Sequence, residues 1–558
     1  MGNGAIARPL TARATIPDAA VPWIGRGLVV AALVLMVAAY HVIHGTNSDD
    51  VAQQDLVASL LSGQPLDFGG SQDHWLIRLP LYLATSWLFG TTAGLLVQVL
   101  VCDLVLAIGA IMALEAILAA HRDRSPEFRL ACYVPLAWFV GQTAALEPPS
   151  GDPYGTWATA NSRLADAGIL LMLLVWVAPW IGESLQGRAG AVRAVRRGAL
   201  LALAVGVLCW DDPYFLGLGA GGLVLGAAWI ALRPAGVRSG TAVVAAAAAA
   251  GGGLMLAFQA LGDAVGLHVV GGVSTRLADL ATIGEQLLDA GRWTAVVFRA
   301  EVRGSVSPAL NTLFGFQLVL LALAVLGAVA AAVRAWRRRD ALRSLLLGAV
   351  VAGYGAYVLV DVAHLQGDAR YVFAPAAMLV VLAPDALAAL PVRWWRGAAA
   401  SLAALGLVFG MALNLVTALG GLPTARLGPV TARTAELLDA LERLDVPKAY
   451  ATFTDANVVT YFSGRRVLAL PLTCGDDGEA MRSSWLVNAS DFDLPAARTA
   501  LVLDRREPAV AGCLDAFAAS LGPPLAATAL PLSGARVLVY GRDIAAGLDA
   551  GGAEPASR

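Results

Sequence analysis

The feature that most constrains this chain is a succession of long apolar runs, separated by loops that are alternately rich and poor in arginine. Crossing a bilayer takes about 20 apolar residues. Runs of that kind fall near 23–43, 94–119, 130–146, 165–182, 198–211, 213–232, 240–262, 315–333, 344–362, 372–390 and 397–419. A soluble chain would need far more polar surface than the 14% of charged residues present here, against 58% hydrophobic. Arginine supplies every positive side chain except Lys448. It clusters at Arg8, Arg13 and Arg26, at Arg122, Arg124 and Arg129, at Arg188, Arg193, Arg196 and Arg197, at Arg233 and Arg238, at 334–343, and at Arg393 and Arg396. Every second loop is basic, which predicts eleven spans with the N-terminus cytoplasmic and the C-terminus outside. The net charge of −2 provides no basic field for a nucleic-acid partner. About 22 residues precede the first run, without a cleavable-signal pattern.

The expected outer loops are 44–93, 147–164, the Asp211–Asp212–Pro213 turn, 263–314, 363–371 and everything after about 420. Most acids at the span ends fall on this side, where charge is costly unless it is paired or lines a wet cavity. The first outer loop opens with Asp49 and Asp50. After it, Leu56, Val57, Leu60 and Leu61 have the spacing of a helix lying on the membrane surface. A polar turn through His74 then leads to a second surface helix carrying Arg78, Pro80 and Tyr82. Arg163 and Asp166 are three apart at the start of the fourth span and share a helical face. His364, Arg370 and Tyr371 precede or begin the tenth span. A carboxylate at such a lip can take a proton from a hydroxyl. A guanidinium can hold a phosphate bidentately. Interfacial arginine also snorkels to headgroups, and an Asp-Asp-Pro turn is in itself a good solvated turn. The five cysteines form no metal motif, and His41 and His44 lack the partners zinc needs. Cys474 and Cys513, the two cysteines of the tail, are expected to pair.

From Leu422 onward the composition is that of a globular domain. Strands are expected at 448–453, 466–470, 499–503 and 535–540, and helices at 430–444, 455–462 and 508–521. The chain therefore divides into a cytoplasmic segment 1–22, a membrane domain 23–420 containing the first outer loop 44–93, an extracytoplasmic α/β domain 421–545 and a disordered tail 546–558.

Four stretches stand together: Asp49-Asp50 with Leu60-Leu61-Ser62-Gly63, then Ile77-Arg78-Leu79-Pro80-Leu81-Tyr82, then Ser162-Arg163-Leu164-Ala165-Asp166-Ala167-Gly168, and Arg370-Tyr371 with Pro375. In these the chain resembles the GT-C superfamily of membrane glycosyltransferases, nearest the branch of protein O-mannosyltransferases and lipid A aminoarabinose transferases. The resemblance implies a polytopic α-helical GT-C-like fold, here with about 11 transmembrane helices, two juxtamembrane surface helices and a small C-terminal domain. It implies a glycosyltransferase in a bacterial cytoplasmic membrane, taking a sugar from a polyprenyl-phosphate donor to an extracytoplasmic acceptor, with membrane lipid around it. Asp49 or Asp50 would be the base, and Asp166 a second acid of the cavity. Arg78 and Arg370 would hold the lipid phosphate, with His74, Tyr82, Arg163, Asp211, Asp212, His364 and Tyr371 among the substrate-binding groups. No cofactor is required by this chemistry, although Mg²⁺ or Mn²⁺ is compatible with the acids. Two departures stand out: Val51-Ala52-Gln53 follows the acidic pair, and Asp211-Asp212 stands where lysine is common. A transporter or flippase for a lipid-linked or anionic substrate would use the same acids as an ion pathway. Its signature would be charge buried in mid-span together with repeat symmetry.

Overall fold

The computed structural model describes residues 17–44, 51, 58, 65, 67–70, 75–142, 156–185, 191–232, 238–269, 276–300, 308–361, 370–391, 393–421, 432–475, 478–483, 487–504, 508–546, 548 and 550–551. Each expected apolar run carries helix. The membrane half comprises α1 (Val21–His44), α2 (Trp75–Leu118), α3 (Pro126–Ala131), α4 (Val134–Val140), α5 (Thr156–Leu185) and α6 (Ala191–Asp211). A π-helical stretch, Leu216–Gly221, then runs into α7 (Gly222–Ala231). There follow α8 (Arg238–Ala264), α9 (Leu280–Val297), α10 (Pro308–Arg338), α11 (Ala341–Leu359), α12 (Arg370–Ala389) and α13 (Arg393–Gly421). Among the described residues, eight helices are long and apolar enough to cross a membrane, so this is a multi-pass membrane protein. The other three runs fall short for visible reasons. Residues 126–140 form two short helices, the second wholly buried. The start of α6 carries Arg193, Arg196 and Arg197. The 216–231 run is only 16 residues long.

The expected second surface helix is not a separate element. It is the start of α2, which runs unbroken for 44 residues. Nothing from Gly90 to Val97 stops a helix, and Pro80 lies near the N-terminal end, where its missing N–H forfeits little. At 1.5 Å per residue α2 is about 66 Å long, more than twice a ~30 Å hydrocarbon core, so a large part of it lies beyond a single crossing. That part exposes Trp87, Leu88 and Phe89. The first surface helix lies almost entirely outside the described residues. The 263–314 segment, expected as an outer loop, contains α9, which buries Gln286, Ala290, Trp293, Val296 and Val297 and exposes Leu280, Leu287 and Leu288. One apolar core runs through the bundle, with Trp138, Phe139 and the length of α12 at its centre. Helices α2 and α5 approach most closely at Gly109 and Gly168. A Cβ on Gly109 would sit 2.2 Å from the Gly168 carbonyl oxygen, so only glycine permits this crossing.

The C-terminal part contains α14 (Ala432–Arg443), α15 (Phe453–Phe462), α16 (Pro508–Ser520), β5 (Lys448–Ala451), β6 (Leu468–Cys474), β7 (Ala480–Ser483), β9 (Thr499–Leu503), β10 (Ala526–Ala529), β11 (Arg536–Tyr540) and β12 (Ala550–Gly551). They form a seven-stranded sheet in the order β10-β11-β9-β5-β6-β7-β12. β5 is parallel to both β6 and β9. Apolar clusters cover the sheet, one including Leu437 and Leu441 of α14, the other Leu514 of α16. Lys448 serves this domain: its Nζ donates to the carbonyls of Phe492 and Leu494 at 2.7 and 2.8 Å and to Asp543 at 3.1 Å. Cys474 and Cys513 are joined by a disulfide with Cα atoms 6.2 Å apart. Ala550–Gly551, in the stretch expected to be disordered, pairs with Arg482–Ser483.

Candidate functional site at the loop end of the bundle

The long-range contacts sort the loops into two ends. Arg26 reaches Glu115, Arg129 reaches Asp18, and Asp385 meets His121, Arg334 and Arg343, so the arginine-bearing segments near 26, 122–129 and 334–343 share one end. The other end is laced by short strands. β1 (Phe68–Gly70), from the first loop, pairs in parallel with β2 (Leu267–Val269) and antiparallel with β8 (Val487–Asn488) of the C-terminal domain. Asn488 fixes the first loop further, donating to the Pro65 carbonyl at 3.1 Å and accepting from the Asp67 N–H at 3.0 Å. Val51, the residue after Asp50, is fully buried in a cluster with Val458 and Tyr461 of α15. β3 (Arg276–Leu277) pairs with β4 (Val360–Asp361), tying the loop before α9 to the end of α11. These contacts put the first loop and the segment after α8 together with the C-terminal domain, and the start of α9 beside the end of α11.

The expected site residues distribute unevenly. Asp49, Asp50, His74 and His364 lie outside the described residues. Arg78, Arg163 and Arg370 are placed by backbone, as the fourth residue of α2, the eighth of α5 and the first of α12. Tyr82, Asp166, Asp211 and Asp212 are each 1% exposed, while Tyr371 is half-buried. Asp211 ends α6, and Asp212 Oδ1 accepts the Tyr214 N–H at 2.9 Å, closing the turn ahead of Pro213. The Tyr214 hydroxyl donates to the carbonyl of Tyr371, and their rings are 5.7 Å apart. The Asp-Asp-Pro turn and the start of α12 are thus one assembly. Asp166 lies two residues ahead of Gly168, so the α2–α5 crossing sets its depth.

Two described residues were not singled out from sequence. Asp103 is fully buried on α2, six residues into the apolar stretch Val97–His121, so the acids are not confined to the interface. A carboxylate early in an apolar run was the available signal. Arg299, 5% exposed, follows α9 with φ of 54°, a left-handed backbone unusual for arginine. The preceding Phe298 packs on Phe139, which in turn packs on Phe373 two residues beyond Tyr371, with centroids 5.4 and 5.5 Å apart. That stacking carries α9 onto α12. Among the described residues no three His, Cys, Asp or Glu side chains are grouped to hold a metal.

Neither a family model nor a curated protein sequence matches the chain. Solved structures do. ArnT from Cupriavidus metallidurans in the apo state superposes with a TM-score of 0.50 at 14% identity, over 93% of this chain and 98% of ArnT. The fold is GT-C. ArnT bound to undecaprenyl phosphate gives 0.49 at 13% identity, over 93% of this chain and 97% of that one. The Archaeoglobus fulgidus oligosaccharyltransferase, crystallised with Zn and sulfate, gives 0.43 at 13% identity, over 89% and 70%. The shared fold includes the C-terminal sheet domain, since the apo ArnT match runs over nearly the whole of both chains.

Proposed function

We propose that this protein transfers a sugar from a polyprenyl-phosphate carrier to an acceptor on the extracytoplasmic side of a bacterial cytoplasmic membrane. The observation that carries the reading is the β2-β1-β8 sheet. It draws the first loop, the loop after α8 and the C-terminal domain together over the end of the bundle where Asp166, Asp211 and Asp212 are buried. A scaffold that gathers loops from across the chain over one end suits a site on a GT-C fold.

In this mechanism Asp49 or Asp50 takes the proton from the acceptor hydroxyl as its oxygen attacks the anomeric carbon. The bond from that carbon to the phosphate oxygen breaks, and the electron pair leaves with the lipid phosphate. Inversion at the anomeric carbon follows from a single displacement. Arg78 and Arg370 hold the phosphate and stabilise its developing charge. Asp166 lines the cavity, with Arg163 as its partner on the same helical face. Tyr82, Asp211, Asp212, Tyr371, His74 and His364 contribute to binding donor or acceptor. Lipid phosphate is an adequate leaving group, so the step does not depend on Mg²⁺ or Mn²⁺.

The transporter reading has one observation in its favour, the burial of Asp103 within a span. Its position toward the loop end from the Gly109–Gly168 crossing suits a polar contact between α2 and α5 equally well. Sugar transfer from a short-chain polyprenyl-phosphate donor, followed in detergent with purified protein, separates the two. Asn at Asp49 or Asp50 keeps size and removes the base, so one of the two changes should lower turnover by roughly 10²–10⁴-fold. Undiminished transfer by both variants would falsify the mechanism.

A further inference from the structure

The opposite end of the bundle holds a cleft that the sugar-transfer reading leaves unused. It measures about 550 Å³ and lies between α10 and α12. One wall is a stripe of α10, Leu326, Val329 and Val333, ending in Arg337 and Arg338. Asp385 of α12 closes the back.

The charges in the cleft divide cleanly. Arg343 grips Asp385 through Nε at 2.6 Å and Nη2 at 3.0 Å, and it also pairs with Asp340. Arg334 Nη1 adds a third contact to Asp385 at 2.9 Å. Two carboxylates thus balance two guanidiniums behind the wall. Arg337 and Arg338 are exposed, and neither is paired with a carboxylate among the described residues, so both remain as surplus positive charge at the mouth. From Leu326 to Arg337 the helix rises about 16 Å, close to half of a ~30 Å hydrocarbon core. An apolar groove one leaflet deep, with two cations at its end, matches a ligand that has an acyl chain and an anionic headgroup.

We propose that the α10–α12 cleft is a binding site for an anionic phospholipid. Its phosphate sits on Arg337 and Arg338, and one acyl chain lies along Leu326, Val329 and Val333. The lipid belongs to the leaflet that meets the arginine-rich end, opposite the sugar-transfer site. Basic pockets between spans on that face are suited to such headgroups.

Native mass spectrometry of the purified protein, titrated with phosphatidylglycerol or phosphatidylcholine, tests this. One phosphatidylglycerol should be retained in preference to phosphatidylcholine. R337Q/R338Q should weaken it on the order of tenfold or more. V329W, at an exposed position, should weaken it comparably by filling the groove without altering charge, and it keeps the test decisive if the double variant folds poorly. R193Q/R196Q, at the same end but outside the cleft, should leave binding unchanged. Equal retention of both lipids overturns the site. So does unaltered binding by V329W, an equal loss in R193Q/R196Q, or displacement by millimolar inorganic phosphate, which would show that the groove holds no chain.

Discussion

At the arginine-rich end, Asp385 is buried under two guanidiniums within 3.0 Å, and Glu115 takes two bonds from Arg26 at 2.7 Å and one from Tyr133 at 2.9 Å. At the loop end, Asp166, Asp211 and Asp212 are buried just as deeply. They lie beneath loops and a domain held by strands of two or three residues. The first arrangement joins helices through charge pairs that leave a carboxylate little freedom. The second gathers acids under a cover built from separate pieces of chain. A fixed ion pair suits anchoring of the bundle, and an assembled cover suits a site that must admit substrate.

The largest effect should come from the anchored end. Asp385→Ala takes from the buried Arg343 and the partly buried Arg334 the carboxylate they share, leaving Arg343 with Asp340 alone. Removing one partner of a buried pair costs about 3–5 kcal/mol. The variant should unfold at markedly lower temperature in detergent, while any protein that remains folded transfers sugar normally. If Asp385→Ala is as stable as the parent but inactive, the two ends do not divide stability from chemistry in this way.

Next in size is the bridge within the C-terminal domain. Cys474 and Cys513 are 39 residues apart, and opening the disulfide should cost that domain about 3–4 kcal/mol on the chain-entropy account. Cys513→Ser, followed by limited proteolysis, should expose the domain before the bundle. Simultaneous cleavage of both halves would show that they unfold as one unit.

A smaller change sharpens the link between cover and site. Asn488→Ala removes the two hydrogen bonds to Pro65 and Asp67, each worth about 1 kcal/mol. Amide exchange should quicken over residues 67–70 with little effect on the bundle. Turnover should fall severalfold if the first loop carries the base, and faster exchange with full activity would contradict that role.

These links mark where sequence reading stops. Apolar length located the eight described helices that are long enough to cross because a bilayer imposes it locally, and the alternation of arginine sorted the loops to two ends that the contacts also separate. The disulfide was legible because only two cysteines stand in the tail. By contrast, β1 is three residues long, and its partners lie at 267–269 and 487–488. Neither period nor propensity marks such a strand. Asp385 gave no sign of its partners at 121, 334 and 343, since a buried pair is a property of helix packing. The continuity of α2 was missed because a polar turn and Pro80 read as punctuation, although the stretch after them holds nothing that ends a helix. A third of the expected site residues, Asp49, Asp50, His74 and His364, lie outside the described residues.

The smallest predicted effect lies at the edge of the cover. Asp279 caps α9, its Oδ1 accepting the Thr282 N–H at 2.8 Å. That backbone donor holds the carboxyl below its ordinary value, near 3.9 for aspartate. The folded form therefore favours the carboxylate. Its contribution to α9 is fully present above the ordinary value and is lost as pH falls through the lower folded one. Amides in the first turn of α9 should exchange faster below about pH 4, and Asp279→Ala should show the faster rate already at neutral pH. Asp279→Asn, which keeps a capping oxygen without the charge, should behave like the parent at neutral pH and lose the acid-induced change. Because α9 leads into Phe298 and Arg299 beside α12, a frayed first turn that left transfer rates untouched would place the working edge of the site further along that helix. A matching fall in turnover would extend the cover to its start.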